Sequence, residues 1–226
     1  MSIIGGVGKS GDENVSGGYG VGAGGDIIIS ANHVTITGGA ARGRQAFGGI
    51  AITANDGDVI ISGSNVEIVS GDAQSDSHAS GYTGIRASGG KVAVSGSKVS
   101  MSAGHATGSG KTDNEPAILC DVATISGSDM YAVSYNEEVP AIQTNSSSLI
   151  LQVPAQESAD GKTWTDLDMN DPNHTLPYFR TTPVAAGGGQ SSVPRTGDSA
   201  NVALWMAMLA GSAAAMCAIA GKRCKA

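Results

Sequence analysis

Asp58-Val59-Ile60-Ile61-Ser62-Gly63-Ser64-Asn65-Val66-Glu67-Ile68 decides how this chain folds. Its core-facing candidates fall at every second position: Val59 and Ile61 before the Gly63-Ser64 turn former, Val66 and Ile68 after it. Period-two spacing presses one side of an extended strand against a core and leaves the other in solvent. Gly-Ser supplies the corner between the two strands. A unit this short cannot bury its own apolar row, so it needs neighbours of the same kind.

The neighbours are present. Asp26–Ile36, Lys91–Met101 and, more weakly, Val122–Ala132 repeat the pattern, and Ile29, Ile61, Val94 and Ile125 hold the same place at separations of 32, 33 and 31 residues. A short strand-like unit precedes each: Val21-Gly22-Ala23, Ile52-Thr53-Ala54, Ile85-Arg86-Ala87 and Ile118-Leu119-Cys120. Three strands, two corners and a Gly-rich loop per repeat predict an all-β parallel β-helix, a solenoid of about four to five coils over residues 1–153, with right-handed winding preferred. A meander or sandwich of hairpins is the rival, and it lacks the Asn-Gly or Asp-Gly turns that hairpins favour. Gly39–Phe47, Gly71–Thr83 and Gly104–Glu115 are expected as loops leaving one corner, solvated spacers first and a binding surface as the alternative; they carry Arg42, Arg44, His78 and His105.

Both ends of the array are legible. Met1–Gly6 aligns with Val34–Gly39, so the chain starts in mid-coil, and Pro140-Ala141-Ile142 echoes Pro116-Ala117-Ile118 as a final coil without the long segment. No basic, apolar leader opens the sequence. The chain is therefore expected to be the C-terminal part of a longer reading frame, with more coils and a secretory leader upstream. Residues 154–180 bring Trp164, Tyr178 and Phe179 together with Asp166, Asp168, Asp171 and His174, and read as a cap over the last coil. Residues 181–192 form a Pro/Gly/Ser linker.

Composition narrows the function. The 226 residues include 34 Gly and only 4% aromatics, and the net charge is −7. An acidic body with no basic stripe argues against nucleic acid as a partner. Of three cysteines, only Cys120 precedes the C-terminal tail, so no disulfide is available within the body.

Val193-Pro194-Arg195-Thr196-Gly197-Asp198 is followed by an uncharged apolar run, Asn201–Ala220, and then by Gly221-Lys222-Arg223-Cys224-Lys225-Ala226. A helix of that run is about 30 Å long at about 1.5 Å per residue, enough for one membrane span. The basic residues after it hold the C-terminus in the cytoplasm. Motif, span and basic stop in this order resemble the cell-wall sorting signal of Gram-positive surface proteins, whose motif is Leu-Pro-x-Thr-Gly. Pro194, Thr196 and Gly197 match it, Arg195 fills the free position, and Val193 stands in place of leucine.

That resemblance implies a sortase as partner, with cleavage between Thr196 and Gly197 and transfer of the Thr196 acyl group to a peptidoglycan amine. It places the body on the surface of a Gram-positive bacterium, passing through a transient single-span membrane state. The Gly-rich Val/Thr/Ile repeats are similar to those of large surface proteins of Gram-positive gut bacteria. A structural or adhesive module follows, with glycans or a host surface as its target; a wall-anchored β-helical polysaccharide lyase or glycoside hydrolase is the alternative.

No catalytic, cofactor or metal site is assigned. Gly5–Ser10 lacks the first glycine of a phosphate-binding loop, and Gly20–Gly25 leads into a strand where a dinucleotide fingerprint needs a helix. Asp166-Leu167-Asp168-Met169-Asn170 has early calcium-loop spacing, but Asp171 and Pro177 occupy the positions that need Gly and Glu. His33, His78, His105 and His174 have no ligand spacing to one another or to Cys120. Asp58 and Lys91, stacked in neighbouring coils, are expected to form an exposed ion pair.

Overall fold

Stacked alternating strands need partners in register, and the computed structural model supplies them; it describes residues 1–182 except 12, 97, 127, 128 and 169–173. The first coil comprises β1 (Ser2–Ile4), β2 (Gly8–Lys9), β3 (Asn14–Ser16), β4 (Val21–Ala23) and β5 (Ile27–Ile29). The second comprises β6 (Val34–Thr37), β7 (Ala41–Arg42), β8 (Gln45–Phe47), β9 (Ile52–Ala54) and β10 (Val59–Ile61). The third has β11 (Asn65–Val69), β12 (Ala73–Gln74), β13 (His78–Gly81) and β14 (Ile85–Ser95), in which one bent strand covers the last two positions. The fourth follows suit with β15 (Lys98–Ser102), β16 (Ala106–Thr107), β17 (Lys111–Asn114) and β18 (Ile118–Ser126). Then β19 (Asp129–Val133) and β20 (Ile142–Leu151) make a shortened return.

Equivalent strands pair in parallel from coil to coil. Val59 aligns with Ile27 and Val92, Ile68 with Ile36 and Met101, and Ser2 with Thr35. The chain is thus a parallel β-solenoid of about four turns, all-β among the described residues, and parallel pairing excludes the hairpin meander. Ile118 pairs with Ile142, as the echo between Pro116 and Pro140 requires. Ile52, Ile61, Ile68, Ile85 and Ile118 are all buried in one continuous core between the first and last strand positions of the coil. Bulges shift the register where β14 and β18 turn the corner; in β14 it is Gly89, at φ 72°, that makes the bend without a side-chain penalty.

The expected Gly-rich loops are not loops. Gly39–Phe47, Gly71–Thr83 and Gly104–Glu115 contain β7 and β8, β12 and β13, and β16 and β17, which build two further four-stranded sheets. These sheets enclose a second, smaller core of Ala41, Ala46, Ala73, Ala79 and Ala106, with Val15 against it. Methyl-sized side chains let two sheet faces approach closely, and the resulting strands are too short and too weakly apolar to announce themselves. In the first coil a valine faces a glycine, since a Cβ added at Gly8 would strike Val15 Cγ1.

Glycines separate the two cores. The Gly18 N–H donates to the Gly6 carbonyl at 2.7 Å, Gly39 to Gly18 at 2.7 Å, Gly49 to Gly39 at 2.7 Å and Gly71 to Gly49 at 2.8 Å. These bonds cross the coil at its waist and climb from one coil to the next. The backbones come so close that a Cβ on Gly49 would fall on the Gly18 carbonyl oxygen, and one on Gly39 on the Gly6 oxygen. A Cβ at either position would require the backbone to move, which glycine avoids. In the third coil Tyr82 takes the Gly49 place and accepts the Gly104 N–H at 2.8 Å.

After β20 the direction reverses. β21 (Ala155–Ser158), β22 (Thr165–Asp166) and β23 (Tyr178–Thr181) extend the first sheet beyond β19 with antiparallel pairing. Phe179, fully buried, joins the main core from β23. Thr181, expected in the linker, is the last residue of that strand and pairs with Ala155. The rest of the linker, the sorting residues Val193, Pro194, Arg195, Thr196 and Gly197, and the apolar run 201–220 lie outside the described residues.

The waist predicts an asymmetric response to alanine. Gly49→Ala should cost about 2–4 kcal/mol through forced backbone displacement and a lost hydrogen bond. Gly24→Ala, with nothing near its added Cβ, should stay within about 0.5 kcal/mol. Urea unfolding of the two variants measures both.

Candidate functional site

Parallel stacking at about 4.8 Å sets equivalent outward side chains into rows along the solenoid axis. On the first sheet one such row runs Thr35, Glu67, Ser100, Tyr131, and the antiparallel strands continue it through Arg180, Gln156 and Asp166. A second row, two residues earlier in each strand, carries Asn65, Lys98 and Asp129. Between the rows lies an open groove of about 380 Å³, whose floor is Val34, Val66 and Val99 and whose first end is marked by His33.

Glu67, Lys98 and Asp129 are exposed, and none belongs to an ion pair among the described residues, although Lys98 and Asp129 are register neighbours. Their hydrogen-bonding capacity therefore faces the groove. Tyr131 closes the other end at 38% exposure. Burial, then the neighbouring Tyr178 and Tyr135, pushes its hydroxyl above the usual phenol value, so it stays a neutral donor.

The Tyr131 ring is braced from behind. Trp164 meets it edge-on at 6.3 Å, and the Arg180 guanidinium lies over Trp164 at 4.0 Å. Arg180 Nε and Nη2 both donate to Gln156 Oε1, at 2.9 and 2.6 Å, and Gln156 Nε2 donates to Asp166 Oδ1 at 2.7 Å. A tight turn sets Trp164 in place: Asp160 Oδ1 accepts the Lys162 and Thr163 N–H groups, each at 2.8 Å, and these bonds hold its carboxyl down at about 2. Asp166, considered above as an early calcium ligand, is spent in this brace, while 169–171 lie outside the described residues.

Beneath the brace sits a buried pair. His174 Nδ1 is 3.0 Å from Glu157 Oε2, which also accepts the Thr175 and Leu176 N–H groups at 2.9 and 3.1 Å. The His174 side chain is 2% exposed and packs edge-on against Phe179. Burial by itself raises the Glu157 pKa, but the bonds from His174, Thr175 and Leu176 outweigh it and leave the carboxyl below its ordinary value.

The remaining candidates are engaged elsewhere. Asp58 does not pair with the Lys91 ammonium: its Oδ1 accepts the Lys91 backbone N–H at 2.8 Å, as Asp26 Oδ1 accepts that of Asp58 at 2.9 Å. A backbone donor at fixed distance in the next coil wins over a long solvated side chain, whose exposed pairing is worth under about 1 kcal/mol. His78 Nε2 lies 2.8 Å from Asp113 Oδ2, and His105 stacks on Tyr135 at 4.8 Å. Arg42 lies on β7 and Arg44 in the turn after it. Where Tyr82 replaces a waist glycine, Glu115 Oε2 ties Thr83 and Arg86 together. Cys120 is buried, and burial pushes its thiol up to about 12.

Sequence reasoning missed the groove. Tyr131 is the one aromatic in a row otherwise filled by Thr35, Glu67 and Ser100, a break in the repeat that could have marked it. Trp164 and Arg180 come from outside the repeat and carry no such signal. Comparison of the chain with family models, curated proteins and solved structures returns no match.

The Glu157 pair gives a pH prediction. A carboxyl lowered by folding stabilises fully above its unfolded pKa, about 4.3, and that contribution is lost as pH falls through the lower folded value. Glu157→Gln should therefore melt well below the parent at pH 7, and the gap should shrink steadily as pH falls below about 4.3. Thermal melts of both proteins across that range test it.

Proposed function

We propose that this chain is a surface-displayed solenoid which a sortase joins to peptidoglycan through Thr196. One observation carries the reading: Val193–Asp198, the uncharged run 201–220 and the Lys222, Arg223 and Lys225 stop follow the repeat body in that order. The membrane span holds the Thr196 carbonyl at the outer leaflet. A sortase thiolate adds to that carbonyl carbon, the Thr196–Gly197 amide bond breaks, and Gly197 leaves as an amine that takes a proton from an acid of the sortase. A peptidoglycan amine then displaces the thiolate and forms the new amide.

The body is suited to display. Parallel pairing between coils holds the strands in register, and the outward rows present side chains at fixed spacing to whatever lies outside the wall. Adhesion through such rows, with glycans or a host surface as the counterpart, is the role we assign to the solenoid.

Mass spectrometry of muramidase-released wall material from a Gram-positive host expressing the chain tests the anchoring. The expected product is a peptide ending at Thr196 and bearing a cross-bridge or stem amine. Thr196→Ala should move the protein from the wall to the membrane fraction. Mature protein that keeps Gly197–Ala226 while wall-associated contradicts the reading.

A further inference from the structure

We infer that the groove on the outer face of the first sheet binds a neutral polysaccharide chain lying along the solenoid axis, with Tyr131 as the stacking platform for a sugar ring. This deepens the adhesive role proposed above and rests on it only for where the ligand is met.

Shape comes first. The groove follows the stacking direction, so its polar groups repeat at the strand spacing of about 4.8 Å. A linear polymer with one set of hydroxyls per unit can meet successive coils in the same way. The floor is the valine positions of the strands, and no backbone edge is open on a sheet face, so a peptide cannot add there as an extra strand.

Charge decides between polymers. Glu67 and Asp129 bracket Lys98 across neighbouring strands, so signs alternate along the groove. A polyanion meets two carboxylates and a polycation meets the ammonium, and each is opposed at part of its length. A polyhydroxylated neutral chain is opposed nowhere. Its hydroxyls donate to Glu67 and Asp129, accept from Lys98, and do both with Asn65 and Ser100.

The aromatic ring supplies the apolar half of the contact. A sugar ring has a C–H face, and a half-exposed tyrosine offers a flat surface for it at little entropic cost, having few rotatable bonds. Tyr131 is fixed before any ligand arrives, because Trp164 abuts it and Arg180 holds Trp164. Trp164 and Arg180 are positioning residues; Tyr131 touches the ligand.

Full-length chain in mild detergent, titrated calorimetrically with unbranched neutral hexasaccharides of glucose, N-acetylglucosamine, mannose and galactose and with anionic hexagalacturonate, tests the inference. Saturable binding of at least one neutral hexasaccharide is expected, at least tenfold tighter than hexagalacturonate. Tyr131→Ala should weaken it at least tenfold with an unchanged melting temperature, Tyr131→Phe less than threefold, and Glu67→Gln severalfold. No saturable heat from any neutral hexasaccharide, preference for hexagalacturonate, or binding indifferent to Tyr131→Ala would overturn it. The sorting reading stands or falls separately, on the wall peptide ending at Thr196.

Discussion

The fold depends on a line of backbone hydrogen bonds where the chain passes closest to itself. Gly6, Gly18, Gly39, Gly49 and Gly71 bond in a zigzag across the coil, at 2.7 to 2.8 Å per step. The bonded glycines lie alternately about a third and about two thirds of a coil apart along the chain, so each bond draws opposite walls together. An Ile/Val core lies on one side of the waist and an alanine core on the other. A coil without the waist would have to fill one wide lumen, and the alanine half has too little side-chain volume to do so. The glycines are therefore a packing device: removing side chains lets backbone polar groups satisfy one another in the interior.

Strict register on the inside fixes what the outside can do. Because Val34, Val66 and Val99 stack inward, Glu67 and Ser100 must stack outward in one row and Asn65 and Lys98 in another. A groove of repeated polar groups is a by-product of the core, and its chemistry is then set by single substitutions at equivalent sites. Tyr131 is the decisive one, and the reversed strands after β20 bring in the Trp164–Arg180 brace that the repeat itself does not contain. The Glu157–His174 pair ties β21 to the run that leads into β23, and the pairing of β23 with β19 joins both to the solenoid end.

Much of the solenoid was legible in the sequence, and the reason is physical. Ile and Val at period two, carried at nearly constant offset from Ile29 to Ile125, leave few alternatives to parallel stacking. The echoes at Met1 and Pro140 placed the first and last coils correctly. The glycine-rich stretches were unreadable as strands because alanine contributes so little apolar contrast that alternation such as Ala73 to Ala79 looks like a loop. The Asp58–Lys91 expectation failed because residue type does not say whether a carboxylate meets a side chain or the backbone amide beside it. The groove was hidden because the brace behind Tyr131 comes from residues 155–181, where no repeat fixes which residue lies beside which.

Amide hydrogen exchange on the full chain tests the waist most directly. The Gly39, Gly49 and Gly71 amides should exchange as slowly as those of Ile61 and Ile68, requiring global unfolding to open. Exchange of those glycine amides at rates near those of Gly24 and Gly25, while Ile61 stays protected, would contradict it.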